Sequence, residues 1–166
     1  MLRPGQAPAN FDEAVGLLEA TLERAVTRRT RSDVGYGVLL SGGLDSAGMA
    51  GMLRAAGADG NPAFTIGFGD TRFDEVPRAR RTAERLGFKH HVATLGPDAL
   101  DELPALVRHG AEPTADSSML AVDRLCRLAA EHVPVVLGGD GADELFAGYP
   151  TYTATLAAVP WRALPR

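Results

Sequence analysis

Between residues 38 and 53 an apolar stretch, Val38-Leu39-Leu40, passes without a spacer into Ser41-Gly42-Gly43-Leu44-Asp45-Ser46 and then into Ala47-Gly48-Met49-Ala50-Gly51-Met52-Leu53. A buried strand, a glycine turn and a helix are the elements this pattern allows. The turn aims backbone N–H groups and a helix N-terminus at one point, which suits a phosphate. Gly42 and Gly43 let the backbone approach such a ligand closely, and Ser41 and Ser46 add hydroxyls. Asp45 lies in the same turn, and an anion site holds a carboxylate only where a cation bridges it to the ligand. The passage predicts a phosphate site with its own metal-ligand candidate.

The rest of the chain alternates in the same way. Residues 63–68 read as a second strand, 74–86 as a helix ended by Gly87, and 88–95 as a third strand. Residues 97–107 and 118–131 read as helical, 133–137 as a fourth strand bounded by Gly138 and Gly139, and a last helix starts near Asp143. An earlier helix begins after Asn10, with Phe11, Val15, Leu18, Leu22 and Val26 at helical spacing. Residues 1–10 are Pro- and Gly-containing and read as a linker, with one domain over 11–166. Strands alternating with helices predict an α/β fold, a doubly wound parallel sheet with helices on both faces. Ligands in such sheets bind beyond the carboxyl ends of the strands where the strand order reverses. The first and fourth strands end at Ser41 and Gly138, both followed by glycine and acid, which predicts one shared site.

Composition narrows the classes. A formal net charge of −4 argues against nonspecific nucleic-acid binding and leaves a small anionic ligand open. A single cysteine, Cys126, excludes an internal disulfide and a thiolate metal site. No apolar run is long enough for a signal-peptide core or a membrane span, so the expected location is cytoplasmic.

The second loop is Gly138-Gly139-Asp140-Gly141-Ala142-Asp143-Glu144-Leu145-Phe146-Ala147-Gly148-Tyr149. Three carboxylates within five residues repel one another, and bringing them together needs a cation or a proton. Oxygen ligands suit Mg²⁺, which is commonly shared between one or two carboxylates and substrate phosphates. Helix capping by Asp140 and Asp143 is the alternative for this loop taken alone. Pairing with Asp45 at the neighbouring strand end favours the metal. The first loop is neither GxxxxGK followed by Ser or Thr nor GxGxxG, and no lysine lies near it.

Residues 37–46 resemble the pyrophosphate-binding motif of N-type ATP pyrophosphatases, within the adenine nucleotide alpha hydrolase-like fold. Residues 139–149 narrow the resemblance to the synthetase domain of glutamine-hydrolysing (class B) asparagine synthetases. Phe64-Thr65-Ile66-Gly67-Phe68, Phe73-Asp74-Glu75, Ala83-Glu84-Arg85-Leu86-Gly87 and His90-His91 follow in that family's order. The resemblance implies ATP and Mg²⁺ as cofactors and an amide-forming ligase. A carboxylate, aspartate in the parent enzyme, is adenylated with release of pyrophosphate, and ammonia captures the adenylate.

By position, the resemblance implies that Ser41, Gly42, Gly43 and Ser46 hold pyrophosphate and that Asp45 and Asp143 bind Mg²⁺. It further implies that backbone near Leu39, Ile66 and Gly139 meets the nucleotide and that Asp140 lies beside the reacting groups. Relatives also close β-lactam rings or macrocyclic peptides, so a ring-closing amide synthetase is a second expectation. Gly138 stands where the family usually has serine, and residue 2 is Leu rather than a cysteine nucleophile. The family's phosphate-contacting lysine, from a helical region further on, has no counterpart, since Lys89 is the only lysine. A domain truncated at both ends is expected on that basis, with a separate glutaminase or C-terminal partner completing it, or else an ATP-binding fragment without turnover.

Other residues carry simpler expectations. His90 and His91 are read as partly buried strand histidines and Cys126 as a buried, inert thiol. Glu112 and Asp116 are read as either substrate-facing or capping. Tyr149 and Tyr152 are read as either lining the site or packing the final helix, Trp161 as exposed or partner-facing, and Arg24, Arg28, Arg29 and Arg31 as a solvated basic face.

Overall fold

A computed structural model of the chain describes residues 7–69, 74–110, 116 and 118–158. Glu112, Trp161 and Phe73 of the residues singled out above lie outside this set. The first helix, α1 (Phe11–Arg29), starts as its sequence dictates: Asn10 Oδ1 accepts the Glu13 N–H at 2.9 Å, and acids and arginines lie at opposite ends. Its apolar stripe, however, stays largely open. Val26 is its buried residue, whereas Phe11 is 80% exposed. The helix packs on its neighbour through its C-terminal turns, and no described element covers the first ones.

The remaining elements are β1 (Tyr36–Leu39), α2 (Leu44–Ala55), β2 (Pro62–Phe68), α3 (Val76–Leu86) and β3 (Lys89–Leu95), then a 3₁₀ segment (Pro97–Glu102). They continue with α4 (Leu103–His109), α5 (Met119–Ala130), β4 (Val135–Leu137), α6 (Ala142–Phe146) and α7 (Pro150–Ala157). All pairings are parallel and the order is β3-β2-β1-β4, so the order reverses between β1 and β4. Val38, Leu40 and Ala63 bury one face against Ala50 and Leu53 of α2, Ala79 and Ala83 of α3, and Val26. The connection from β3 to β4 runs back across the sheet, and right-handed crossovers put α5 on the opposite face. On that face Phe64 stacks with His91 and His132, at 5.5 and 5.7 Å between ring centroids. The sheet is thus covered on both sides, as the alternating pattern predicts.

Several boundaries differ for local reasons. The fourth strand begins at Val135, so Pro134, which has no N–H to give a ladder, precedes it. The last helix is two short ones, broken where Ala147 adopts φ 57° and Gly148 follows. Residues 97–102 wind as a 3₁₀ turn before α4, and Arg124 of α5 bonds Glu102 there at 2.5 Å. Cys126 is exposed, which overturns the buried-thiol expectation. The inner stripe of α5 runs through Leu125, Leu128 and Ala129, and helical spacing leaves residue 126 on its flank.

Candidate active site

The reversal between β1 and β4 places two loops side by side, and they touch through backbone. A Cβ built on Gly139 would lie 3.1 Å from both the carbonyl carbon of Asp45 and the amide nitrogen of Ser46. A side chain here would force that backbone back by a few tenths of an ångström, so glycine suits this close approach to the first turn of α2. The cleft above this contact has a volume of about 420 Å³. Its walls include Leu39, Ser41, Asp45, Ser46, Ile66, Gly139, Asp140 and Asp143. Eight of the ten sequence-predicted site residues are therefore gathered in one place. Gly42 and Gly43 are not wall residues, because their amides are engaged inside the loop or against α3.

The loop is wired by its own serines. Ser41 and Ser46 hydroxyls lie 2.8 Å apart, Ser46 Oγ accepts the Ser41 N–H at 3.0 Å, and Ser41 Oγ accepts the Gly43 N–H at 3.1 Å. Ser46 is buried, so these bonds hold the turn in shape before any ligand arrives. No side chain caps the N-terminus of α2, whose first-turn amides remain the kind of anion site the sequence implies. Gly42 donates its N–H to Glu75 Oε2 at 3.0 Å, bringing a fourth segment and a further carboxylate to the cleft wall. Sequence reasoning did not single out Glu75 as a site residue. Its signal was its place in the Phe73-Asp74-Glu75 segment, directly before α3.

The acidic loop does not cap its helix: α6 begins at Gly141 with no side-chain cap bond. The capping alternative for Asp140 and Asp143 is thereby set aside. The Asp140 carboxylate turns back over Gly138, occupying space a Cβ there would need. Asp143 Oδ1 lies where a Cβ on Gly148 would be, and Gly148 N–H donates to Asp143 O at 3.0 Å. Glu144 accepts the Tyr149 hydroxyl at 2.8 Å, and that bond raises the Tyr149 pKa above the ordinary range. Tyr149 lines the cleft and also lies near Tyr152, so it serves site and packing together.

Asp45, Glu75, Asp140, Asp143 and Glu144 thus surround one space, and among the described residues no lysine or arginine lies in its wall, although the Arg78 stem packs beside Gly42. Among the described residues no three His, Cys, Asp or Glu side chains converge as a ready-made metal centre. This donor set fits Mg²⁺ entering with ligand phosphates and completing its shell with one or two carboxylates. Thr65, Val122 and Leu125 complete the walls on the sheet and α5 sides.

The histidines are structural. His90 Nε2 lies 2.8 Å from Thr65 Oγ1, and the His91 and His132 rings are 4.0 Å apart. Burial lowers both the His90 and the His91 pKa; Arg80 adds to this at His90 and His132 at His91. Asp116 accepts the Ser118 N–H at 2.8 Å, and hydrogen bonding from the Ser118 side chain first and from that N–H second lowers its pKa, so it acts as a local turn acceptor. Beside the site an apolar groove of about 400 Å³ runs between Leu18, Leu22 and Val26 of α1, Met49 and Met52 of α2, and Leu145 and Phe146 of α6. No described helix is long and apolar enough to cross a membrane.

Comparison with known proteins agrees with this geometry. The chain is 38% identical over 162 residues to a Mycobacterium bovis protein named as a glutamine-hydrolyzing asparagine synthetase, covering 95% of this chain and 24% of the relative. It is 34% identical over 158 residues to glutamine-hydrolyzing asparagine synthetase 1 of Bacillus subtilis, covering 93% of this chain and 24% of the relative. The chain spans about a quarter of the length of these relatives. Among solved structures, glutamine-dependent NAD⁺ synthetase from Acinetobacter baumannii in complex with ADP superposes with a TM-score of 0.59 at 24% identity. That superposition covers 87% of this chain and 28% of the other. NH₃-dependent NAD synthetase from Campylobacter jejuni gives a TM-score of 0.55 at 19% identity, covering 81% of this chain and 60% of that one. These likenesses establish the fold, the adenine nucleotide alpha hydrolase-like arrangement expected from the sequence. Residues 17–166 match the asparagine synthase family, and the chain belongs to it.

Proposed function

We infer that this chain is the nucleotide-using domain, over residues 11–166, of an amide-forming ligase that adenylates a carboxylate with ATP·Mg²⁺ and releases pyrophosphate. The observation that carries this reading is the backbone contact of Gly139 with Asp45 and Ser46. It sets an anion-binding helix start and an acidic loop side by side in the wall of one cleft. In the reaction a carboxylate oxygen of the substrate attacks the α-phosphorus, and the bond from that phosphorus to the bridging oxygen of pyrophosphate breaks. Ammonia then attacks the acyl carbon, AMP departs, and the amide remains.

Each group has a role of its own in that sequence. The Ser41–Ser46 loop and the first turn of α2 hold the pyrophosphate, whose charge grows as it leaves. Asp45 and Asp143 would hold Mg²⁺, which supplies neutralisation of that charge. Leu39, Ile66 and Gly139 offer backbone to the nucleoside half. Asp140, in the cleft wall, would serve as the polar group beside carboxylate and ammonia. Aspartate is the proposed carboxylate, giving asparagine, since the relatives are named asparagine synthetases. Those relatives are also named glutamine-hydrolyzing, which supports ammonia supplied by a glutaminase part or partner.

Among the described residues the cleft wall holds no basic side chain, which favours a second reading, in which this chain binds ATP·Mg²⁺ and the cation on the phosphates comes from another segment or chain. Pyrophosphate release from ATP, with Mg²⁺, aspartate and ammonia, separates the two. Release above that of an Asp45→Ala control supports the ligase. Binding of ATP·Mg²⁺ without release supports the second reading, and no binding of either ATP or pyrophosphate sinks both.

A further inference from the structure

Thr65 is the polar residue of an otherwise apolar strand, is 2% exposed, and borders the cleft. Its place in the sheet explains why a hydroxyl is there. Val38 pairs with Ala63 and Leu39 with Phe64, and the ladder goes one step further, with Leu40 N–H donating to Phe64 O at 2.8 Å. In a regular parallel ladder the Leu40 carbonyl would next accept the amide of Ile66. Instead it accepts the Thr65 hydroxyl at 2.6 Å.

The Ile66 N–H leaves β2 on the same edge as Phe64 O, because backbone groups two residues apart share an edge. It is left without its ladder acceptor at a wall of the cleft. The Thr65 proton is committed to Leu40 O, so at the 2.8 Å contact His90 must donate from Nε2. Burial lowers the His90 pKa and so favours the neutral ring, and the donor role at Thr65 puts a ring proton on Nε2.

We propose that Thr65 and His90 form a positioning pair for the nucleotide: His90 Nε2–H orients the Thr65 hydroxyl, the hydroxyl occupies Leu40 O, and the sheet stops one amide early. The Ile66 N–H is thereby reserved for an acceptor on the nucleoside half of the ligand. This rests on the nucleotide reading above, and adds residues that touch no substrate.

Thr65→Val tests it by removing the hydroxyl at nearly constant shape. In the ligand-free variant the Ile66 N–H closes onto Leu40 O, so its hydrogen exchange, followed by NMR, slows at least about tenfold. AMP binding measured by calorimetry weakens about fivefold to tenfold, the value of one neutral hydrogen bond. Mg²⁺-pyrophosphate binding stays within about twofold, since Leu40 keeps an anchor and the Ser41–Ser46 loop keeps its serine bonds. Thr65→Ser restores AMP affinity, and His90→Gln, which retains a side-chain N–H, stays closer to the parent than His90→Leu.

Unchanged Ile66 exchange in Thr65→Val overturns the proposal, as does equal loss of AMP and pyrophosphate binding. Should Thr65→Val not fold, His90→Leu carries the same comparison. If the parent chain binds neither probe, the nucleotide reading falls, while Ile66 exchange still decides whether the pair interrupts the ladder.

Discussion

Glu75 Oε2 accepts the Gly42 N–H at 3.0 Å, so a carboxylate sits on a backbone donor of the loop best suited to bind phosphate. The same cleft already gathers Asp45, Asp140, Asp143 and Glu144. An incoming polyphosphate must displace Glu75 or be shielded from it by a cation. Glu75→Gln keeps the accepting oxygen and removes the charge. We predict Mg²⁺-pyrophosphate binding about threefold to tenfold tighter in calorimetry, because a partly screened like charge at this range is worth about 1 kcal/mol. Weaker binding in the variant would show that Glu75 helps to hold the cation.

Gly139→Ala tests the contact between the loops. The added Cβ would meet the backbone of Asp45 and Ser46, which has no rotamer by which to retreat. The two strand ends must part, at a cost of about 1–3 kcal/mol in stability by denaturant unfolding. Nucleotide binding should fall more than tenfold, because donors and carboxylates no longer face one space. Retained binding would mean that the ligand needs only one of the two loops.

Gly148 is far from any expected metal ligand in role, yet a Cβ there would take the place of Asp143 Oδ1. Gly148→Ala should therefore act as a metal-site variant. The expected result is a higher Mg²⁺ requirement for ATP binding, in the same direction as Asp143→Asn, with a melting temperature near that of the parent. ATP binding whose Mg²⁺ dependence is unchanged in Asp143→Asn removes Asp143 from the metal assignment.

Acid should loosen the sheet through its two strand histidines, His90 on the Thr65 face and His91 on the Phe64 face. His91 and His90 have pKa values lowered by burial below the ordinary 6.5. Below pH 6.5 the unfolded chain therefore binds more protons than the folded one. The stability this gives is complete above pH 6.5 and is lost as pH falls through the lowered folded values. Melting temperature should drop between pH 7 and pH 5, and His91→Phe, which keeps a ring beside Phe64 and His132, should flatten that drop. An equal slope in the variant would place the acid sensitivity elsewhere.

Much of this was legible in the chain. Short apolar runs separated by helical stretches lead to a parallel sheet, because only a crossover helix can return the chain to a parallel neighbour. Glycine and acid at the ends of two such runs pointed to one shared cleft, and Asp45, Gly139, Asp140 and Asp143 do line one, because local backbone demands leave local residue signatures. The same locality misled at Cys126, where apolar neighbours suggested burial but the helix turned that position outward.

Glu75 and Thr65 show what such patterns cannot carry. Glu75 acts on Gly42 across 33 positions of chain, and Thr65 acts on Leu40 across 25. Neither spacing is periodic, since each depends on which strands become neighbours and in what register. Secondary structure and the two loops follow from interactions within a few residues, so they are written in the order of the amino acids. The identity of the group on each loop amide and strand carbonyl follows from the β3-β2-β1-β4 order, which exists only once the strands have packed.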